Sequence, residues 1–419
     1  MNWPSDTFCT LGWNHQFLGP NGQVKPCCRY TGGRVPSENN IRNYSLSEVF
    51  TGDFQTDLRD DMLQGRRNAG CLKCWQEEDS SKRLSIRQNY NRSIERLEDL
   101  HYDLDVNDPK ITWLELSFNN RCNIRCRMCG PFYSTNWYKD WELTKEYHGW
   151  RPDDIPKYIE EHPEPRTIDL SKLDDVLPNV RHLKMTGGEP FIMPEYSIIL
   201  QKLVDMGQAK DVYLNYSTNL TIMPKKDLIN LWSKFKHVEF ATSLDGIGSV
   251  VEYVRHPTNF NTVKKVTQRL MELSHDMNIT VGSRPTITIY NVLDIPNITN
   301  WWAEMMDKYY KESFSNNTWL NHTHAALPSH LSLPVLTQYC KNIVLERLWD
   351  KGPNKKQKQN WNQLCNYMNS EDLTNLIPKF VDFTTRLDEA RGESFRSIVP
   401  EFNSLMEYYD AKHLAKNEV

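Results

Sequence analysis

The chain has 419 residues, of which 39% are hydrophobic and 25% charged, and its formal net charge is −4. This length allows two or three domains with a large apolar core. The balanced charge, without a basic block, disfavours a nucleic-acid partner. No apolar run approaches the roughly 18 residues of a membrane span, and the first residues lack the regions of a secretory signal. The ten cysteines are therefore expected to be reduced, and we predict a cytoplasmic protein without a membrane partner.

Residues 1–78 contain five of the ten cysteines among many Gly, Pro and Asn residues. A segment with so little apolar periodicity cannot build a core alone, so we predict a small module that is stapled by a metal. Cys9 and Cys27 flank a turn-rich stretch, and Cys71 and Cys74 form a C-x2-C turn. Four thiolates in two groups bind zinc or a fully ligated iron–sulfur cluster, and spacing does not separate these. Two disulfides are disfavoured in a reducing compartment.

Residues 79–109 are predicted to form a polar helical connector whose charged side chains face solvent. From residue 110 to 325 strands alternate with helices, which indicates an α/β fold with a parallel sheet and right-handed crossovers. The predicted strands are Ile111–Phe118, Arg181–Met185, Val212–Ser217, His237–Ser243, Ile279–Tyr290 and about Thr318–Thr323. The predicted helices are Pro194–Gly207, Pro224–Phe235, Thr262–Asp276 and Asp294–Tyr310. Six strands are two short of an eight-stranded barrel, and residues 326–419 predict a mainly helical extension.

Three cysteines, Cys122, Cys126 and Cys129, form a C-x3-C-x2-C run directly after the first of these strands. A 4Fe–4S cluster is normally held by four cysteines, so three leave one iron open, and an open position usually marks chemistry. The x3 gap argues against zinc. After the second strand comes the sequence TGGEP, residues 186–190. Its paired glycines allow a ligand to approach the backbone, and its carboxylate can accept from a cation.

These two motifs, in this order, resemble those of radical S-adenosylmethionine (SAM) enzymes over roughly residues 110–324. The resemblance implies a partial (β/α)6 barrel and a 4Fe–4S cluster whose open iron is chelated by SAM. It also implies that Gly187, Gly188 and Glu189 face the methionine amine. A reductant such as flavodoxin or ferredoxin then supplies the electron that splits SAM into methionine and a 5′-deoxyadenosyl radical.

The N-terminal cysteines resemble the SPASM and twitch modules that hold auxiliary clusters in some radical SAM enzymes. The first pair of those modules has the form C-x9-15-G-x4-C. Cys9, Gly22 and Cys27 fit this form, which selects Cys27 over its neighbour Cys28. Cys71 and Cys74 fit the second part of those modules. The resemblance therefore implies one auxiliary 4Fe–4S cluster, and Cys28 is not expected to be one of its ligands. In most relatives this module follows the barrel, whereas here it precedes it.

The resemblance also implies further cofactor contacts in the loops after the strands, where barrel active sites lie. These candidates are Met128, Ser217, Asn219, Ser243, Asp245 and Arg255. Arg255 suits the SAM carboxylate because a guanidinium can bind it through two nitrogens, and a surface ion pair is its alternative. On the sixth predicted strand, His322 and His324 share a face because they are two residues apart. They are the candidates for a catalytic proton transfer, and a structural role is their alternative.

The leading functional prediction is a radical SAM oxidoreductase that oxidises or cross-links a carbon centre in a peptide or protein. A radical SAM dehydrogenase of a small molecule is the alternative within the class. A non-catalytic iron–sulfur carrier is the alternative from another class, and the GGEP loop and Arg255 argue against it because a carrier needs no SAM site.

Overall fold

A computed structural model of the protein describes residues 3–31, 35–79, 84–96, 105–147, 168–309, 323–324, 328–350 and 355–407. Within these ranges the strands are β1 (His15–Leu18), β2 (Val24–Lys25), β3 (Trp113–Leu116), β4 (His182–Met185), β5 (Tyr213–Thr218), β6 (His237–Thr242), β7 (Ile279–Ser283), β8 (Thr286–Ile287) and β9 (Thr323–His324).

The helices of the described residues are α1 (Leu11–Asn14), α2 (Leu46–Thr51), α3 (Asp53–Leu63), α4 (Leu72–Asp79), α5 (Ile86–Arg96), α6 (Trp141–Thr144), α7 (Pro194–Asp205), α8 (Lys226–Trp232), α9 (Ser249–Val254), α10 (Phe260–Leu273), α11 (Ile295–Tyr309), α12 (Gln338–Trp349), α13 (Lys355–Met368), α14 (Ile377–Arg391) and α15 (Phe395–Ile398). Short 3-10 turns occur between them, among them Ala69–Cys71 and Pro190–Ile192.

The chain forms two compact units. Unit 1 comprises Met1–Asn120, Pro165–Ser217 and Pro224–Glu239. Unit 2 comprises Arg121–Glu164, Thr218–Met223 and Phe240–Val419.

Unit 1 contains a mainly parallel sheet in the order β2-β1-β3-β4-β5, in which only β2 runs antiparallel to its neighbour. One face of each strand is buried, as Leu116 and Met185 illustrate, and it packs beneath helices such as α7. Tyr196 of α7 donates its hydroxyl to the Leu116 carbonyl at 2.8 Å. The other face of β4 and β5 is only partly buried and is polar, because residues alternate between the two faces of a strand.

Unit 2 is built around a helical core. Its buried apolar residues come from α12, α13, α14 and the segments between them, as Val344, Trp361 and Phe380 illustrate. The last residues of β6 lie beside β7, where the Arg284 amide donates to the Thr242 carbonyl at 2.8 Å. A separate two-stranded parallel sheet joins β8 to β9.

The α/β fold with a parallel sheet and a helical C-terminal region, predicted from the sequence, is confirmed. The strand count differs in detail. The N-terminal module contributes β1, which pairs with β3 and was not predicted. The predicted strand Ile279–Tyr290 is two strands, β7 and β8, with Pro285 between them, because proline cannot donate a ladder hydrogen bond. Of the sixth predicted strand, residues 318–322 lie outside the described residues.

Candidate functional site

The three cysteines of the C-x3-C-x2-C run form a compact loop in unit 2. Cys122 and Cys126 are buried and Cys129 is half-buried, and they pack around Ile124 with Met128 at the edge. Burial, followed by the electrostatic influence of the other two thiols, raises the pKa of Cys129. Buried thiols of this kind stay neutral until a metal binds. Three of them in one loop, in apolar surroundings, fit the ligation of an iron–sulfur cluster.

Asn219, in the loop that follows β5, lies beside the first of these cysteines. Its Nδ2 is 3.9 Å from Cys122 Sγ, and its Oδ1 accepts from the Thr221 amide at 2.9 Å. The next residue, Leu220, has a φ of 61°, a left-handed conformation that is costly for a residue with a side chain. Asn219, a candidate cofactor contact from the sequence, therefore directs an N–H donor toward a predicted cluster ligand, and such donors tune iron–sulfur clusters.

Arg255 and Asp245, both candidates from the sequence, form a buried ion pair. Arg255 donates from Nε and Nη2 to Asp245 Oδ2, each at 2.7 Å. Its Nη1 lies 3.5 Å from Cys126 Sγ. Burial would lower the pKa of Arg255, but the charge of Asp245 and then that of Cys126 outweigh it and raise the pKa, so the guanidinium stays charged. The Asp245 carboxylate is held in turn by the Thr286 amide at 2.7 Å.

Two arginines of the cysteine loop, which the sequence analysis did not single out, are clamped by the C-terminal helical region. Arg127, between the second and third cysteines, is fully buried and donates from Nη2 to Asp388 Oδ1 and Glu393 Oε2, each at 2.5 Å. Its backbone amide donates to the Val254 carbonyl at 2.8 Å. Buried charges are rare unless paired, so Arg127 and its two carboxylates fix this loop to the end of α14.

Arg125 is held in the same network. Its Nη1 donates to Asp140 Oδ1 at 2.7 Å, and Arg391 donates to the other oxygen of Asp140, also at 2.7 Å. Arg125 Nη2 lies 3.2 Å from His256 Nε2, whose Nδ1 contacts Glu393 at 2.6 Å. Arg127 and Glu393 are 266 positions apart in the chain. Nothing in a single sequence indicates that two such residues form an ion pair.

The GGEP loop lies in unit 1, at the end of β4. Gly187 has a φ of +72°, and a Cβ built on it would lie 1.7 Å from Ser117 Oγ. Glycine is required there by the close approach of Ser117 as well as by the backbone conformation. Ser117 Oγ is buried and, among the described residues, has no hydrogen-bond partner. An acceptor left open beside Gly187 fits the ammonium group of a ligand, and the sequence analysis did not name it.

The rest of this loop is fixed by hydrogen bonds. Gly188 also has a positive φ, of 43°. Glu189 is fully buried and its Oε1 accepts from the Phe191 amide at 3.2 Å, which caps the short turn that follows. The Tyr196 hydroxyl donates to the Thr186 carbonyl at 2.6 Å. These hydrogen bonds hold the loop in place without a ligand, as a preformed site requires.

The four N-terminal cysteines predicted to share a cluster come together in unit 1. Cys9 and Cys74 are buried, and Cys27 and Cys71 are half-buried. Burial, followed among the raising causes by the neighbouring Cys74, raises the pKa of Cys9 to about 12. Burial, followed by the neighbouring thiols of Cys28, Cys9 and Cys71, raises the pKa of Cys27. Burial, followed by Cys9 and Cys74, raises the pKa of Cys71. Among the described residues, no three or more His, Cys, Asp or Glu side chains are arranged to hold a single metal ion.

A tyrosine joins the two halves of this cysteine set. The Tyr30 ring packs so tightly on Gly70 that a Cβ there would lie 1.8 Å from the ring. The Thr31 amide donates to the Gly70 carbonyl at 3.1 Å, and the Tyr30 hydroxyl donates to Asn68 at 3.1 Å. The chain after Cys27 is thereby held against the C-x2-C turn, which fits a shared ligand set.

The structure gives fewer contacts for the remaining candidate site residues. Met128 packs at the edge of the cysteine loop, and Ser217 and Ser243 are half-buried at the ends of their strands. His322 lies outside the described residues. His324 belongs to β9, and its side chain is not among the described ones. The assignment of all these residues to a cofactor or a proton transfer stays a prediction.

Comparison with known proteins agrees with this arrangement. Residues 9–75 match the SPASM family, described as an iron–sulfur cluster-binding domain, and this range spans the four N-terminal cysteines. The chain is 27% identical over 208 residues to a GTP 3′,8-cyclase of Clostridium acetobutylicum, over 48% of this chain and 56% of that protein. These matches support the resemblance of this chain to radical SAM proteins with a SPASM-type module.

Solved structures of Streptococcus suis SuiB are also similar. The structure bound to S-adenosylmethionine has a TM-score of 0.34 and 13% identity, and the match covers 73% of this chain and 61% of that one. The structure bound to the precursor peptide SuiA has a TM-score of 0.30 and 11% identity, over 70% and 66%. This chain therefore spans just over half of the cyclase and less than two thirds of the first SuiB chain.

The SPASM match and the similarity to the cyclase support the predicted cofactors, which are SAM and 4Fe–4S clusters including an auxiliary one. Which residues hold each of them stays a prediction. No helix in the part of the chain that the structure describes is both long and apolar enough to cross a membrane.

Proposed function

We propose that this protein is an enzyme that reductively cleaves SAM and uses the resulting 5′-deoxyadenosyl radical to modify a carbon centre in a peptide or protein. The observation that supports this most directly is the buried three-cysteine loop, with the N–H donors of Asn219 and Arg255 directed at two of its sulfur atoms. A site with three thiols and surrounding donors fits a cluster with one open iron rather than a closed structural one.

The roles of the residues follow from this arrangement. Cys122, Cys126 and Cys129 would hold the 4Fe–4S cluster. The cluster and bound SAM together supply the one-electron cleavage that yields the radical. Arg255 places a fixed positive charge beside one ligand sulfur, and Asp245 keeps that guanidinium in position.

In unit 1, Ser117 Oγ and the open backbone of the GGEP loop present acceptors that suit an ammonium group. Cys9, Cys27, Cys71 and Cys74 would hold the auxiliary cluster, which would accept an electron from the substrate or position it. A reductant of the flavodoxin or ferredoxin type would supply the electron for SAM cleavage.

Chemistry on a small molecule is the second candidate. The similarity to a GTP 3′,8-cyclase favours it, because that relative is named for a nucleotide. Under this reading the chain would act on a small molecule, by dehydrogenation or by cyclisation, and oxidoreductase would not describe the net reaction in the latter case.

Anaerobic reconstitution followed by iron analysis and a SAM-cleavage assay tests the proposal. We expect about eight irons per chain and slow formation of 5′-deoxyadenosine after reduction with dithionite, even without substrate. The triple variant Cys122→Ala/Cys126→Ala/Cys129→Ala should keep about four irons and lose cleavage. Cys340→Ala is the matched control, because Cys340 is buried in the helical core beside Ser404. An unchanged iron count in the triple variant would refute the assignment.

The two candidate substrates are separated in the same assay. Adding GTP to the reduced wild-type protein should leave the nucleotide unchanged if the substrate is a peptide. Conversion of GTP to a cyclised product, with 5′-deoxyadenosine formed in step, would support the second candidate instead.

A further inference from the structure

The partly buried face of the unit 1 sheet is organised in two side-chain layers. The strand register aligns an aromatic layer across four neighbouring strands: His15, Trp113, His182 and Tyr213. Successive rings in this layer are 5.7, 5.1 and 5.0 Å apart between centroids and meet edge to face. Two residues further along the strands, the register aligns Glu115, Lys184 and Asn215 on the same face.

This second layer contains an ion pair that is largely removed from solvent. Lys184 Nζ donates to Glu115 Oε1 at 2.8 Å, and the two side chains are 19% and 6% exposed. His15 Nε2 lies 3.7 Å from the other carboxylate oxygen, and the Cys28 thiol also hydrogen-bonds Glu115. The carboxylate is therefore fully engaged, whereas the ammonium has three N–H donors and, among the described residues, a single hydrogen bond.

Both side chains of this pair remain charged although they are buried. Burial would raise the pKa of Glu115, but Lys184 and then His15 outweigh it and lower the pKa to about 2. Burial would lower the pKa of Lys184, but Glu115 raises it. A carboxylate with such a low pKa is a weak base, so Glu115 does not fit a proton-abstracting role. It fits the role of holding the ammonium in place.

Asn215 completes the layer on the next strand. Its Oδ1 is buried and, within the described part of the chain, has no hydrogen-bond partner. Neighbouring strands lie about 4.8 Å apart. The layer therefore presents N–H donors on Lys184 and, among the described residues, an acceptor without a partner on Asn215, on two adjacent strands. A buried acceptor without a partner is costly unless a ligand or water completes it.

The charge of this layer limits which ligand groups can bind to Lys184 and Asn215. Glu115 and Lys184 cancel, so the layer is close to neutral, and a second carboxylate would meet Glu115 without compensation. A neutral amide carries one C=O acceptor and one N–H donor, which matches in chemical type the donor and the acceptor of the layer. The aromatic layer beneath offers an apolar surface for the group attached to the amide.

We propose that Lys184 and Asn215 bind an amide group of the substrate, its C=O against Lys184 Nζ and its N–H against Asn215 Oδ1. Glu115 is the positioning residue for Lys184. This inference rests on the proposed function, since it makes the substrate of that site a peptide or another molecule that contains an amide. Neither residue belongs to the motifs that the family resemblance named.

Binding of two isosteric probes tests the inference without turnover. N-benzylacetamide contains one amide, and benzyl acetate replaces its N–H with an ester oxygen. The dissociation constants of both for the reconstituted protein can be measured by saturation-transfer NMR titration. We expect the amide to bind about tenfold more tightly, the effect of one hydrogen bond to a buried acceptor. Asn215→Leu should abolish this preference, because it removes the acceptor and leaves no charge behind.

Variants of Lys184 give a second readout. Lys184→Met should weaken both probes because both contain the carbonyl. Since this change leaves a buried carboxylate unpaired, the double variant Glu115→Gln/Lys184→Met is the version to use if the single variant folds poorly. The exposed residues Lys210 and Asn230 supply controls, and Lys210→Met and Asn230→Leu should keep the wild-type ratio.

Equal binding of amide and ester by the wild type, or binding of neither, would overturn the inference. So would an unchanged preference in Asn215→Leu. Failure of SAM cleavage in the wild type would instead count against the proposed function. The two hypotheses can therefore fail separately.

Discussion

The guanidinium carbon of Arg127 lies 3.6 Å from the centroid of the Tyr253 ring. The same guanidinium donates to Asp388 and Glu393, and the Tyr253 hydroxyl donates to Asp388 Oδ1 at 2.9 Å. Arg127 therefore connects the cysteine loop to the C-terminal region through an aromatic face and two carboxylates at once. Arg127 follows Cys126 in the chain. A change in this network is therefore expected to displace a predicted cluster ligand.

We expect Arg127→Met to destabilise unit 2 by about 3–5 kcal/mol, because it leaves two carboxylates in a buried site without their cation. The loss can be measured by chemical denaturation of the apoprotein. Adding Asp388→Asn and Glu393→Gln to this variant should restore part of the stability, since the unpaired charges are then removed. Arg269→Met is the control, because that arginine is exposed and pairs with Glu272 one helical turn away. Equal effects at Arg127 and Arg269 would contradict this account.

Two glycines with almost the same φ allow two energetic costs of a side chain to be measured separately. One is the cost of the left-handed backbone, and the other is the cost of a steric clash. Gly187 and Gly207 have φ values of +72° and +71°, but a Cβ at Gly207 would meet nothing within 4 Å. Gly207→Ala should therefore cost only the left-handed conformation, about 1–2 kcal/mol. Gly187→Ala should cost more, because its Cβ would clash with Ser117 Oγ. The additional change Ser117→Gly should remove most of the extra cost of Gly187→Ala, as measured by denaturation, although the Asn119 carbonyl still lies 3.2 Å from the built Cβ. No rescue would mean that the glycine is needed for another reason.

The ion pair between Arg255 and Asp245 predicts two opposite shifts in the reduction potential of the cluster held by the three-cysteine loop. Arg255→Met removes a positive charge and an N–H donor near Cys126 Sγ, so the potential should fall. Asp245→Asn removes a negative charge and leaves Arg255 in place, so the potential should rise. Redox titration followed by electron paramagnetic resonance measures both. Shifts of the same sign would show that loop disorder, not charge, is responsible.

The elements best predicted from the sequence are those with a local periodicity. Strands β3 to β6 were each expected within two residues of their observed ends, because alternation of polar and apolar residues is visible in a short window. Helices α7, α10 and α11 were found because their apolar residues recur three and four positions apart, which is also visible in a short window. The two cysteine sets were also visible, because ligand spacing within a loop is a local property.

What the sequence did not predict depends on partners that are distant in the chain. Strand β1 lies in a segment rich in Gly and Pro, and its pairing partner β3 is nearly 100 residues away. The charges of the connector were expected to face solvent, yet Arg87 is buried and donates to the Phe8 carbonyl at 2.8 Å and to Glu78. Asn91 on the same helix also donates to Phe8. Pairings of this kind are set by tertiary structure, which outweighs the local pattern.

Alanine variants of the N-terminal cysteines should differ sharply in iron content. Cys71→Ala and Cys74→Ala should each lose about four irons, because they remove a ligand of the auxiliary cluster. Cys28→Ala should keep the full count, because the Cys28 thiol hydrogen-bonds Glu115. Cys365→Ala, in the helical region, is the control. SAM cleavage should persist in the Cys71 and Cys74 variants, since these thiols belong to the other cysteine set. Loss of iron in Cys28→Ala would make Cys28, not Cys27, the candidate ligand.

His182 predicts a pH dependence of the stability of unit 1. Burial, followed by the charges of His15 and Lys236, lowers the pKa of His182 to about 3, against an ordinary value of 6.5. Between these two values the unfolded chain binds a proton that the folded chain does not, so stability falls as the pH falls through this window. From pH 8 to pH 5 the loss should be about 2 kcal/mol.

Hydrogen exchange of the β4 amides in the apoprotein, measured at pH 8 and pH 5 and corrected for the intrinsic rate, reports this loss within unit 1. His182→Gln removes the titrating group, so its β4 amides should lose about 2 kcal/mol less protection between the two pH values than those of the wild type. His275→Gln, a change at an exposed histidine, should keep the wild-type dependence. If His182→Gln and the wild type lose the same protection, the neutral imidazole of His182 is not the source. The ring carbon resonance of His182 should also stay constant from pH 8 to pH 5, because a group with a pKa near 3 remains unprotonated over that range.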